Sequence, residues 1–206
     1  EKVLAGTASE NKLTNYYYRD GGVADPGKPM SATGPWPSVA ELTPADANRL
    51  IQKSLPPGAK VTGVSDANAI NAQAIADGFQ APFIPGTQVV DIMTGQSSGF
   101  VRVYVEPPGA SLRVGSWVMR AEDIAGLTPA QIASKFSLPQ VPTMVTDVTV
   151  PAGTKLQVSS ANGISPNGAK GLLTGDNAGG GGVQFQIRIP KDEPVPANWF
   201  SNARPL

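Results

Sequence analysis

The spacing of apolar residues changes once along the chain, near residue 79. Before that point it is helical. Thr43 followed by Pro44 is an N-cap with proline at the first helical position, and Ala47, Leu50, Ile51 and Leu55 form one face of a helix that Pro56-Pro57-Gly58 stops. A second helix is expected over residues 66–77, capped by Ser65, with Ile70, Ala74 and Ile75 on one side and Gly78 closing it. The first 37 residues hold Tyr16-Tyr17-Tyr18, Arg19-Asp20-Gly21-Gly22 and Trp36-Pro37 without a sustained period, and read as a loosely packed arm.

After Phe79 the apolar residues alternate or gather in short blocks between Gly, Pro and Ser. Strands are expected at Thr87–Ile92, Phe100–Val105, Gly115–Arg120, Met144–Val150, Lys155–Ser159 and Val183–Ile189. One helix interrupts them: Thr128-Pro129 repeats the cap-plus-proline signal and leads into Pro129–Phe136. The stretch Ala161–Gly182 has no internal pattern, ends in four glycines, and reads as either a disordered loop or a mobile functional one. The fold class is therefore α+β, in two parts: a small helical part at 1–78 and a strand-rich part at 79–206.

Composition narrows the chemistry. The 206 residues carry 16 basic and 16 acidic side chains. Divided at Gly78, the balance is seven against eight and then nine against eight, so neither part is a polycation of the kind that binds nucleic acid non-specifically. Without cysteine there are no disulfides, thiolate nucleophiles or thiolate metal sites. Without histidine the usual general base of serine hydrolases and of many ribonucleases is missing, as are most zinc sites. No apolar run is long enough to span a bilayer.

Two strands carry the candidate residues. In Phe100-Val101-Arg102-Val103-Tyr104-Val105, alternation puts Arg102 and Tyr104 on one face and the valines on the other. Alone, this reads as a solvated face opposite a core. With an anionic ligand, Arg102 offers a planar fork for a diphosphate and Tyr104 a ring for stacking. In Val183-Gln184-Phe185-Gln186-Ile187-Arg188-Ile189, Gln184, Gln186 and Arg188 share a face. The glycines before it read as a flexible hinge or as a run of accessible backbone N–H groups that a phosphate could approach. Trp117 and Trp199-Phe200 are aromatic anchors, expected in the core, and Arg120 is a further cation near the first of them. Ser159 and Ser160 lack a base to activate them.

Taken in order, Phe100–Tyr104, Gly115–Met119, Leu138-Pro139 with Pro142, Val148–Thr154, Gly180–Phe185 and Phe200–Leu206 resemble the C-terminal toxin module of polymorphic, filamentous-haemagglutinin-type exoproteins of contact-dependent growth inhibition. The resemblance spans about Pro82 to Leu206. Within it, an Arg-bearing strand, a proline before a valine-rich strand, and Gly-Gly-Gly-x-Gln-aromatic are similar to the tuberculosis necrotizing toxin family of NAD glycohydrolases. The resemblance implies a compact, distorted ADP-ribosyltransferase-like sheet, with Arg102 gripping the NAD diphosphate and Gln184 beside the nicotinamide ribose as the catalytic pair. NAD is then the substrate, and no cofactor is implied. The departures are the wider separation of the motifs by residues 122–136 and 161–182, and Gln186 where transferases of the wider group place a glutamate, which favours hydrolysis over transfer.

Cleavage of the nicotinamide–ribose bond needs no histidine, because a neutral group leaves while positive charge builds on the sugar. Arg102, Arg120 and Arg188 are the expected diphosphate ligands, Tyr104 the stacking ring, Trp117 and Gln186 further substrate contacts, and Glu106 or Glu122 the assisting carboxylate. The resemblance also implies delivery as the end of a larger secreted protein, action in the target-cell cytoplasm, an entry function for residues 1–78, and a cognate immunity protein as partner. The competing expectation is a histidine-independent ribonuclease built from Lys155, Lys170, Arg188, Asp176 and Tyr104. A third is a non-enzymatic binding module.

Overall fold

The computed structural model describes residues 42–106, 112–138, 140–163, 179–190 and 193–206. The expected arm, most of the stretch 161–182, Lys170 and Asp176 lie outside them. The described chain is α+β, with antiparallel sheets.

Helix α1 (Pro44–Ser54) starts as its sequence dictates: the Thr43 hydroxyl accepts the Asp46 N–H, and Pro44 takes the first helical position. Ala47 and Ile51 are buried, whereas Leu50 points outward. Strand β1 (Lys60–Asp66) follows, and then helix α2 (Ala67–Ala76). The cap of α2 is Asp66 rather than Ser65, because the Asp66 carboxylate accepts the Asn68 N–H. The remaining elements are β2 (Gln88–Met93), β3 (Ser98–Tyr104), the short β4 (Trp117–Val118), α3 (Pro129–Lys135), β5 (Met144–Val150), β6 (Lys155–Ser160), β7 (Val183–Arg188) and β8 (Phe200–Pro205). Helix α3 opens with a full capping box between Thr128 and Gln131.

Two antiparallel sheets result. One has five strands in the order β1-β2-β6-β7-β4, and the other has three in the order β3-β5-β8. The chain of β4 joins them: Trp117 and Val118 pair with β7, and the next residue, Met119, exchanges both backbone hydrogen bonds with Val101 of β3. Between the sheets lies the main core. Val90, Ile92, Val118, Leu156, Val158, Phe185 and Ile187 of the large sheet meet Phe100, Val148, Val150 and Phe200 of the small one, with the Phe100 and Phe185 rings 4.9 Å apart. The far side of β3 is covered as well, where Val101 and Val103 pack with Ile132 and Phe136 at α3.

The division at Gly78 does not follow a break in this architecture. Strand β1, in the part expected to be helical, pairs with β2 along its whole length, and Ile51 of α1 belongs to the core between the sheets. Strand β1 is thus part of the large sheet, and α1 packs into the core beside it. The period of β1 is hidden because its burial does not alternate: Val61 and Val64 are 45% and 55% exposed on an edge strand. Among the described residues no helix is long and apolar enough to cross a membrane.

Candidate functional site

The two candidate strands have opposite surroundings. Arg102 was expected on a face that is solvated or lines a cleft, and it is instead 2% exposed. Its Nε donates to the Leu112 carbonyl at 2.8 Å and its Nη1 to the Trp117 carbonyl at 2.7 Å. Gly115 lies against the guanidinium so closely that a β-carbon there would approach it to 2.6 Å. The reason is the second layer: the face of β3 that carries Arg102 also carries Phe100, and that face is turned to the large sheet. Tyr104, on the same side, is buried too. Arg102 therefore fastens the segment 112–117 that leads into β4, and the expected grip on a diphosphate is replaced by a grip on backbone carbonyls.

Arg120 is engaged elsewhere. Its guanidinium forms two 2.8 Å hydrogen bonds to Asp123 and a further ion pair with Glu122. The hydrogen bond to Asp123, the largest influence, holds it above the ordinary arginine value despite some burial. Lys135 joins this tie by donating to the Asp123 carbonyl at 2.7 Å, and burial pushes its ammonium below the usual lysine range. Glu122 is thereby an exposed ion-pair partner, and Glu106 lies exposed beyond the end of β3.

In the glycine run the backbone N–H groups of Gly180, Gly181 and Gly182 are all occupied. Gly180 and Gly182 donate to the carbonyls of Ser134 and Lys135, capping the end of α3, and Gly181 donates to Ala161. Glycine is required for that approach: Gly179 has φ +78°, and a β-carbon there would lie 2.0 Å from the Ser134 carbonyl oxygen. The run ties α3 to the start of β7, which is the reverse of a hinge.

Trp117, Gln184, Gln186 and Arg188 come together on the outer face of the large sheet, opposite the core. Cross-strand register orders this face in rows. At one end Lys60, Met93, Lys155 and Arg188 lie on adjacent strands. The next row is Gly63, Asp91, Gln157, Gln186 and Trp117. Ser159 and Gln184 form the following pair. At that end α2 closes the face with an apolar cluster of Ala67, Phe83 and Val89, against which Ile70 and Trp117 pack.

The floor of this face is polar and buried, since Gln157 is 6%, Gln186 4% and Ser159 1% exposed. Its rim of Asp91, Trp117, Gln184 and Arg188 is half-exposed. The side chains are linked: Gln157 Nε2 donates to Asp91 Oδ1 at 3.1 Å, Arg188 Nη1 to Gln186 Oε1 at 3.0 Å, and Gln184 Nε2 to Ser159 Oγ at 3.4 Å. Buried amides held this way cannot turn freely, so their remaining donors and acceptors are aimed before any ligand arrives. Sequence reasoning missed Asp91 and Gln157. Their signal is the alternation in Val90-Asp91-Ile92 and in Leu156-Gln157-Val158, which sets one polar residue between two core residues.

No family model matches the chain, and neither does any curated protein or solved structure.

Proposed function

We propose that this chain hydrolyses NAD at the nicotinamide–ribose bond, as the effector module of a secreted exoprotein that acts in the cytoplasm of a target cell and is neutralised by a cognate immunity protein. The observation that supports this reading is the ordered outer face of the large sheet: a cationic end at Lys155 and Arg188, and next to it an amide row that ends in Trp117, whose side chain packs against the apolar cluster of α2. Successive rows on one face are about 6.5–7 Å apart, which sets the cations one row from the amides and the ring.

In this reading Arg188, with Lys155 directly opposite on β6, holds the diphosphate. Trp117 stacks on the nicotinamide, and Gln184 orients the ribose or the attacking water. The C1′–N bond breaks with its electron pair passing to the nicotinamide nitrogen. Water adds to C1′ of the resulting cation and gives up its proton. Arg102 takes part only by holding the Trp117 carbonyl, and so the strand from which the ring projects.

The test is NAD consumption by the purified chain, compared with Gln184→Ala and Arg188→Ala, with total tRNA integrity followed in the same samples. The expected result is NAD loss by the wild type, a fall of about tenfold or more in each variant, and intact tRNA. Intact NAD with cleaved tRNA would replace this reading with the ribonuclease one, for which the facing cations Lys155 and Arg188 are the supporting observation. Intact NAD and intact RNA would leave a binding module.

A further inference from the structure

Among the described residues, the strands of the large sheet bear two carboxylates, Asp66 and Asp91. Asp66 is occupied as the cap of α2. Asp91 stands on β2, three strands from Trp117 along the same row of the outer face, a separation of about 14 Å at the usual strand spacing. The two strands between them, β6 and β7, carry Lys155 and Arg188 one row away. The face therefore has an aromatic end at β4, a cationic pair in the middle, and a second end at β2, where Met93 is half-exposed between Lys60 and Lys155. At this second end Gln157 Nε2 holds Asp91 Oδ1 and fixes the plane of the carboxylate. The other oxygen faces the position where Gly63 has no side chain; a β-carbon at Gly63 would lie 3.4 Å from Oδ2. A bulge in β1 between Val61 and Gly63 sets Gly63 opposite Asp91.

Resting on the NAD reading above, we infer that the β2 end of this face is the adenine subsite, where Asp91 Oδ2 accepts a hydrogen bond from the exocyclic amine of the base and the Met93 side chain lies against its ring. Distance and charge assign it together. With the nicotinamide on Trp117 and the diphosphate at Arg188 and Lys155, the far half of an extended dinucleotide is the part that reaches β2. The carboxylate repels a phosphate and suits an uncharged group with N–H donors, so the cations in the middle and Asp91 at the end give the ligand one direction along the face. A thioether against an aromatic ring is a favourable contact. Hypoxanthine presents a carbonyl oxygen where adenine presents the amine, and a carboxylate that offers only lone pairs disfavours it. Gln157 is then a positioning residue that acts through Asp91, and Gly63 leaves room for the base beside Oδ2.

The experiment measures kcat/KM for NAD and for its analogue with hypoxanthine in place of adenine. The wild type is expected to prefer NAD by about tenfold to a hundredfold. Asp91→Asn keeps an acceptor for Gln157 but can turn an N–H toward the hypoxanthine oxygen, and is expected to bring the ratio of the two values close to one. Gly63→Val, which covers Oδ2 and leaves the carboxylate in place, is expected to lower the ratio in the same direction, and it carries the test if Asp91→Asn does not fold. Met93→Ser is expected to lower both values alike, because both bases lie against the same side chain. A wild type without a preference for NAD, or a folded Asp91→Asn that keeps the wild-type ratio, would overturn the adenine assignment while leaving the NAD reading intact. A wild-type chain that leaves both dinucleotides untouched would overturn the NAD reading, and the adenine subsite with it.

Discussion

Strands β3 and β7 have nearly the same written pattern, apolar residues alternating with Arg, Tyr or Gln, yet they end in different environments. In β7 one face meets the core and the other carries the linked polar row of Gln184, Gln186 and Arg188. In β3 both faces are covered, one by the large sheet and the other by α3, so that Arg102 is enclosed and bonded to two main-chain carbonyls. The same alternation thus serves a candidate binding surface in one strand and an internal clamp in the other. Alternation reports which residues share a face; whether that face is open depends on what is packed against it.

The two strands also differ in how much of the fold depends on them, and the largest expected effect is not in either. Removing residues 1–78 deletes β1 and α1, exposes the edge of β2 and empties the position of Ile51 in the core. A chain beginning at Phe79 is expected to lose cooperative unfolding in a denaturant titration. A folded fragment with the stability of the full chain would restore the boundary at Gly78.

Next comes the contrast between the two arginines. Arg102→Ala empties the place of a buried side chain and leaves the Leu112 and Trp117 carbonyls without this donor, and is expected to cost roughly 3 kcal/mol, a large share of the stability of a domain this size. Arg188→Ala, on the half-exposed rim, is expected to cost less than about 1 kcal/mol while losing activity. Chemical denaturation of both variants checks this, and equal losses of stability would remove the distinction between clamp and surface. Arg102→Lys should not rescue, because a single ammonium cannot reproduce a fork that reaches two carbonyls in fixed directions.

The smallest effect belongs to the exposed link between the central strand of the small sheet and its edge strand β8. Asp147 of β5 accepts from Asn202 and from Arg204 of β8, each at 2.8 Å, and these hydrogen bonds, Asn202 first, hold its carboxyl below the ordinary value. A depressed folded-state value means stability present above the unfolded-state pKa and lost as pH falls through the folded one. The pair is exposed, so the contribution is small and screened by salt. Asp147→Asn is expected to flatten the acid limb of the stability profile slightly and to leave the neutral region nearly unchanged, as thermal melts between about pH 2 and 5 would record.

Much of the local structure was legible because its causes are local. The caps at Thr43 and Thr128, the prolines after them, and the alternation in β2, β3, β5, β6 and β7 act over a few residues. Strands β1 and β8 were not legible. The first exposes its valines at a sheet edge, and the second contains Asn202 in the left-handed region and ends in Pro205, which an edge strand tolerates and a central one does not. Asp91 and Gln157 were passed over because a single polar residue between two core residues gains chemical meaning only when neighbouring strands bring others into line with it.

By itself the sequence determined where helices begin, which residues in most strands share a face, and that any chemistry here proceeds without histidine or cysteine. Tertiary structure alone decided that Arg102 is enclosed and Arg188 is not, that the glycine run caps α3, and that β1 belongs to the large sheet. The division has a physical reason: capping and side-chain alternation are set by bonds and sterics within one turn or one strand, whereas burial of a face and convergence of side chains from separate strands depend on contacts between residues far apart in the chain.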